Sequence, residues 1–308
     1  MTPFVMVKLF RAFLTIWIAV TFVFIILRLS GNPALSALGE DAPLDALHHF
    51  NQLVGLDRSI WFQYLTFLKK VTFVDFGTSF RDGRAVSEIV LERLPKTGLL
   101  MGTSFVFGAA VGIPAGALAA HFERRWIDRT ILSLATASFS LPNFCLGILL
   151  TLIFVMKLQI APGAGSETLG HVFLPALAIG TGYAGILARF TRSALLDIHQ
   201  EPFILAAESR GLSRLDVLVQ HAFPNAAIPV VTIAGLIFGG LVSGAVVIET
   251  IFAWPGIGQL LVSSVANRDL PVVQALILLL TVSMVTINTC VDLAYFYLDP
   301  RIRAGGER

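Results

Sequence analysis

The chain has 308 residues, 56% of them hydrophobic and only 14% charged, with a mean hydropathy of +0.79. Soluble domains carry close to twice that charged fraction, roughly 25%, so the composition argues against a water-soluble globular enzyme. Lys and Arg total 22 against 20 Asp and Glu, with no basic run longer than two, which leaves no footprint for nucleic acid.

A spanning helix needs about 20 mostly apolar residues, and six such runs occur. The first, Leu9 to Leu29, holds Arg11 and Arg28 near its ends, where long side chains reach the interface. Its apolar core exceeds the roughly 7–15 residues of a cleaved signal. The exit Leu29-Ser30-Gly31-Asn32-Pro33 offers no A-x-A site, so the run reads as a retained span.

An external segment follows, residues 30–96. Asp41-Ala42-Pro43 opens an apolar-periodic helix that Gly55 can close, and His48-His49 reads as its solvated surface. Asp82-Gly83 reads as a turn before an amphipathic stretch, Val86 to Leu94, which Pro95 is expected to end. Such a short segment with few apolar clusters cannot build a strong core, so it is expected to pack on the membrane domain or an external partner.

The second run, Leu99 to Ala120, and the third, Ile131 to Met156, contain no Asp, Glu, Lys or Arg. The fourth, Val172 to Ala188, is short, and the fifth, Ala226 to Ile248, is glycine-rich. The sixth, Pro271 to Leu298, holds Asp292 toward its end. The expected organisation is therefore a first span (1–29), the external segment (30–96), a five-helix core (97–298) with a cytoplasmic loop at 189–225, and a tail (299–308).

Alternate connections differ in charge. Lys8, Arg11, Arg124, Arg125, Arg129, Arg189, Arg192, Arg210, Arg214, Arg301, Arg303 and Arg308 fall on one side, against Lys157 and Arg268 in the short loops of the other. Positive charge stays cytoplasmic, which places both termini inside.

Packing in lipid needs small residues at four-residue spacing, supplied by Gly98/Gly102, by Gly108/Gly112/Gly116, and by Gly235/Gly239 and Gly240/Gly244. Pro114 and Pro142 suit only positions where neighbours satisfy the freed carbonyls. Mid-span acids and histidines, which ion-coupled carriers need, are missing: Glu249 and Asp292 lie toward span ends and read as interfacial or packing residues. Ser138, Ser140, Asn143 and Thr181 could line a polar path, although hydroxyls also bond back to their own helix. Cys145 and Cys290 lie far apart in apolar runs and read as packing residues, so no metal site is expected.

No G-x-x-x-x-G-K-[ST], H-E-x-x-H or G-x-S-x-G motif occurs, so the chain cannot hydrolyse ATP alone and lacks protease or hydrolase signatures. The polar stretch Arg189 to Asn225 instead shows two short helices around a glycine. Ala206-Ala207 offers a compact face beside Glu208 and Arg210, Gly211 permits a left-handed turn, and His221-Ala222-Phe223-Pro224 is expected to end the second helix. After the fifth span, Pro255 and Gly256 should break the helix in Glu249 to Gly258, Gly258 keeps the backbone slim, and Phe252 and Trp254 suit an interfacial depth with the indole N–H wet.

The 206–224 stretch resembles the EAA loop of ABC-importer permeases: Ala206, Ala207 and Gly211 match, and after nine residues His221, Phe223 and Pro224 fall at the corresponding places. Leu205 stands where that pattern has Glu, and His221 where it has Ile, as in the peptide-permease branch. The likeness extends through Gly55-Leu56-Asp57-Arg58, Asp75 to Ser79, Glu92 to Thr97, Ser140-Leu141-Pro142, Glu249 to Gly258 and Asp299-Pro300-Arg301. Together these are similar to the dipeptide and oligopeptide permease family (DppB/OppB-type), most like the DppB type.

That resemblance implies an all-α polytopic fold of six transmembrane helices with the type I ABC-importer architecture. It also implies a DppC-like second permease, one or two DppD/DppF-like cytoplasmic ATPases that bind ATP and Mg, a DppA-like external binding protein, and surrounding lipid. Docking of the ATPase is expected on the EAA loop, and an external gate at Glu249 to Gly258. Short peptides are the expected cargo, with nickel, glutathione and haem as alternatives inside the family. A secondary transporter or a membrane-embedded enzyme would be the rival outside it.

Overall fold

The computed structural model describes residues 2–29, 34, 38 and 42–298. Most of Ser30 to Asp41 and the whole Asp299-Pro300-Arg301 tail lie outside the described residues. The described backbone is helical apart from loops and one bridge between Thr78 and Ala85.

Helix α1 (Thr2–Leu29) is the first span; α2 (Leu44–Val54) and α3 (Ile60–Thr72) follow in the external segment. Next come α4 (Val86–His121), α5 (Trp126–Ser140) and α6 (Asn143–Leu150), the last prolonged by a wide turn over Thr151–Lys157. A 3-10 turn leads into α7 (Phe173–His199), then α8 (Pro202–Ser209), the single turn α9 (Arg214–Asp216), α10 (Phe223–Ile251), α11 (Ile257–Ala266) and α12 (Leu270–Leu298). Five of the described helical stretches are long and apolar enough to cross a membrane, and the α5–α6 pair makes a sixth if counted as one bent span.

Prolines account for most departures from the expected boundaries. Pro95 does not end a helix, because α4 runs through it without a break. A proline removes one backbone donor, a loss that packed neighbours make tolerable inside a membrane helix. The third run, expected as one span, is instead bent by 96° at Leu141-Pro142. Leu141 is extended (φ −83°, ψ 123°), the conformation that the following proline ring imposes. Pro224 does not end a helix either. It stands near the start of α10, which a wide helical turn (Val217–Ala222) joins directly to α9, so the helical backbone continues through it. The fourth span is also longer than its charge-free run, since α7 carries Arg189 and Arg192 on to His199 and shortens the following loop.

The chain divides into two compact units. One comprises Gly98–Trp254 with Ile287 onward, and α7 is its centre. Small residues let backbones approach. A Cβ built on Gly112 would lie 2.5 Å from the Ala184 carbonyl oxygen, and one on Gly116 would overlap the Ala188 carbonyl. On another side of α7, a Cβ on Gly185 would meet the Ala135 carbonyl at 2.6 Å, and one on Gly182 the Asn143 side chain at 2.9 Å. Gly235 and Gly239 similarly face Val291 and Asn288 of α12. Gly98 and Gly102, expected against a helix, have nothing within 4 Å of a built Cβ. The packed stripe begins nearly two turns later, at Gly108.

The other unit comprises Thr2–Thr97 and Pro255–Thr286. Here the external segment packs as expected on membrane helices. Phe67 of α3 sits with Val20, Val23 and Phe24 of α1 and Leu278 of α12, and the Thr21 and Tyr64 hydroxyls lie 2.7 Å apart. Gly55 closes α2 in the left-handed conformation (φ 76°), and His48 and His49 are exposed. Val86, Ile257, Val272, Ala275 and Leu276 form a second apolar cluster.

Candidate functional site

Three groups of predicted residues have a defined place. The first is the loop after α7. Helix α8 buries Ile204 and Ala207 in a cluster with Leu195 of α7, Val217 and Ala222 of the wide turn, and Ala226 of α10. Ala117 and Ala120 of α4, Ala194 and Ile198 of α7 and Leu218 of the wide turn pack against it. The alanine pair is thereby divided: Ala207 faces inward and Ala206 faces out. It is not one compact outer face, because adjacent helical residues point about 100° apart.

The turn behind α8 depends on Gly211 (φ 81°), where a side chain would meet no atom within 4 Å yet would be forced into a left-handed backbone. Ser213 then caps the next turn, its hydroxyl accepting from the Asp216 N–H at 3.2 Å and donating to the Asp216 carboxylate at 2.5 Å. Phe203, Leu205, Leu215 and Val219 remain exposed around this hairpin, with Arg210, Gly211, Phe223 and Pro224. His221 is half-buried, and the Glu208 side chain lies outside the described residues. The hairpin thus has a packed inner face and an apolar outer one.

The second group is the turn after α10. The helix stops at Ile251, four residues before Pro255, which was expected to break it, and the Trp254 backbone N–H donates back to the Glu249 carbonyl at 2.8 Å. Ala253 carries the reversal in a left-handed conformation (φ 45°). Interfacial exposure of the aromatics is not found: Trp254 is 1% exposed and Phe252 4%. The Phe252 ring packs on Gly147 of α6, and its carbonyl accepts from the Gly165 N–H at 3.1 Å. Glu249, expected as an interfacial or helix-packing residue, is fully buried. Beyond the turn, Gly256 and Gly258 are buried, Pro255 is half-buried, and the Ile257 N–H donates to the Thr97 hydroxyl at 2.9 Å.

The third group is the polar quartet. Ser138, Ser140 and Thr181 donate to the carbonyls of Ala135, Thr136 and Leu177 in their own helices. Asn143 opens α6 just past the bend and lies against Gly182 of α7.

Sequence reasoning missed two polar links. Arg192 of α7 grips Asp128 of α5 through two bonds of 2.6 and 2.7 Å, and the Arg124 N–H adds a third at 2.9 Å. The available signal was a lone acid set between Arg125 and Arg129. Ser79 and the Phe80 N–H bond to the Asp269 carboxylate, 190 and 189 residues away, a pairing no local pattern could reveal. No group of three or more His, Cys, Asp or Glu side chains suited to a metal occurs among the described residues.

Residues 112–304 match the family described as binding-protein-dependent transport system inner membrane component, and residues 1–101 match its N-terminal partner family. The chain is 36% identical to the glutathione transport system permease protein GsiC of Escherichia coli (strain K12), covering 98% of this chain and 99% of that one. It is 38% identical, with the same coverage, to the GsiC protein of Salmonella choleraesuis. A structure of the MetNI methionine ABC transporter in inward-facing conformation superposes with a TM-score of 0.60 over 68% of this chain and 96% of that chain, at 18% identity, which establishes the fold. With both family matches, near-full-length relatives and a shared helical fold, this chain belongs to the inner-membrane permease components of binding-protein-dependent ABC importers, and is not itself an ATPase.

Proposed function

We propose that this permease passes short peptides, glutathione among them, through a path it shares with a second permease. Glutathione is itself a tripeptide, so a peptide cargo and the relatives' cargo are one chemical class. The observation carrying this reading is the 36–38% identity, over 98% of the chain, to permeases named for glutathione transport. Nickel and haem, which present no peptide backbone, gain no comparable support.

In this reading the outer face of the α8–α9 hairpin (Ala206, Arg210, Gly211, His221, Phe223, Pro224, with Glu208) receives a cytoplasmic ATPase subunit that binds ATP and Mg. The Glu249 to Gly258 turn is the external gate below the docked binding protein. Its burial supports a gate built into the protein rather than a lipid anchor. Ser138, Ser140, Asn143 and Thr181 line part of the path, since hydroxyls that donate to their own helices can still accept.

The test is reconstitution of the complete importer in proteoliposomes with its binding protein, followed by ATP-dependent uptake of radiolabelled glutathione and of a labelled dipeptide. Uptake of either supports the reading. Nickel or haem uptake without peptide uptake would overturn it.

A further inference from the structure

We propose that the Asp128–Arg192 pair is the positioning element that carries movement of the 202–222 loop into α5, and through α5 to the bend at Leu141-Pro142. The inference rests on the loop's role as the ATPase-docking site.

Arg192 holds Asp128 as a two-pronged fork, and the Asp128 side chain is only 4% exposed. The Arg84–Glu92 and Arg124–Glu123 pairs, by contrast, are open to solvent. A buried fork fixes direction as well as distance. The same carboxylate accepts from the N–H of Arg124, whose backbone is left-handed (φ 63°), so the α4–α5 connection is tied in as well.

On the α7 side, Arg192 stands about one turn before Leu195 and nearly two before Ile198, which belong to the cluster around Ile204 and Ala207 of α8. On the α5 side, Asp128 lies in the first turn, and the helix then runs unbroken to Ser140 beside the bend. Between these ends α5 and α7 touch through small surfaces, Ala135 against Gly185 and the Ser138 hydroxyl beside it. Smooth interfaces of this kind leave register weakly specified, and a single buried polar pair can set it. A displacement of α8 would therefore move α7 and α5 together while the fork holds. Without it, α7 could slip along α5.

The complete importer is the system for the test. A nitroxide on Phe139→Cys, exposed next to the bend, reports nucleotide-dependent movement without any need for transported solute. Glutathione uptake per ATP hydrolysed is measured in parallel. Asp128→Asn removes the charge while keeping an acceptor, and Asp128→Leu/Arg192→Met replaces the pair by an apolar contact. In both variants the ATP-induced spectral change at position 139 should be lost and solute moved per ATP should fall at least tenfold, with ATPase subunits still co-purifying. A change at position 139 equal to wild type in the assembled double variant would overturn the proposal and leave the pair as a stabilising contact. If the wild-type signal responds to ATP but no peptide is imported, the cargo reading fails while the role of the pair is still decided by the variants.

Discussion

The hydroxyl of Ser79 donates to the carboxylate of Asp269 at 2.5 Å, and the same hydroxyl accepts from the N–H groups of Arg81 and Asp82 at 3.2 and 3.0 Å. One buried serine thus shapes a surface loop and fastens it to the turn before α12. Ser79 and Asp269 are 3% and 5% exposed, so neither can turn to water if its partner is lost. Replacing Asp269 by Ala leaves the buried Ser79 O–H without its acceptor, at about 1–3 kcal/mol, and removes the Phe80 N–H bond as well. The purified variant should melt at lower temperature and be cleaved by protease within residues 77–86. Asp269→Asn, which can still accept, should lose less.

The glycines of α4 divide by surroundings. Gly112→Ala puts a methyl 2.5 Å from the Ala184 oxygen and 2.9 Å from Leu187 Cβ, so overpacking should cost about 1–3 kcal/mol. Gly102→Ala meets nothing within 4 Å and removes glycine's entropy penalty, so the isolated chain should be unchanged or slightly more stable. Melting curves in detergent separate the two. Equal losses would contradict the close α4–α7 approach.

At Gly211 the strain lies in the backbone alone. Gly211→Val has space for its side chain but must adopt φ 81° or rebuild the hairpin, at about 1–3 kcal/mol. Under the proposed docking role, co-purification of the ATPase subunit and transport should both fall. Normal values of both would remove the hairpin from the coupling route.

Trp254 gives an optical test. Trp17, Trp61 and Trp126 are 45%, 73% and 74% exposed, against 1% for Trp254. With those three replaced by Phe, emission should be blue-shifted and resist acrylamide. Truncation of Trp254 to Ala should cost about 3–5 kcal/mol. Red-shifted, readily quenched emission would restore the interfacial position that its composition suggested.

Orientation follows from charge counting and can be read directly. A cysteine at Ser59, exposed at the start of α3, should be labelled only from outside, and one at Leu215 only from the cytoplasm. The reverse pattern would invert the chain.

Apolar length and charge were legible because lipid permits so few solutions. Five of the six runs reappear as continuous helix and the third as a bent pair, and even the α2 boundary at Gly55 follows from its sequence punctuation. Proline was legible only as a possibility. Pro95 and Pro224 lie in continuing helix, whereas Leu141-Pro142 gives a sharp bend. Which outcome prevails depends on whether neighbours satisfy the backbone, and that is a tertiary fact. Trp254 was misplaced for a related reason: an aromatic near a span end suits both an interface and a packed turn. The division between Ala206 and Ala207 needed the rotation of α8 against Leu195, which the motif alone does not specify.

The helical backbone that begins at Arg214 and ends at Ile251 has a mechanical consequence. At about 1.5 Å per residue it extends for roughly 55 Å, well beyond the ~30 Å of a bilayer's hydrocarbon. With the hairpin on the cytoplasmic side that the charge bias predicts, one continuous helical backbone links it to the Glu249 to Trp254 turn. The wide turn at Val217–Ala222 and Pro229 both lie in the half of this backbone nearer the hairpin. Movement of the hairpin is therefore expected to reach the turn without crossing a loop.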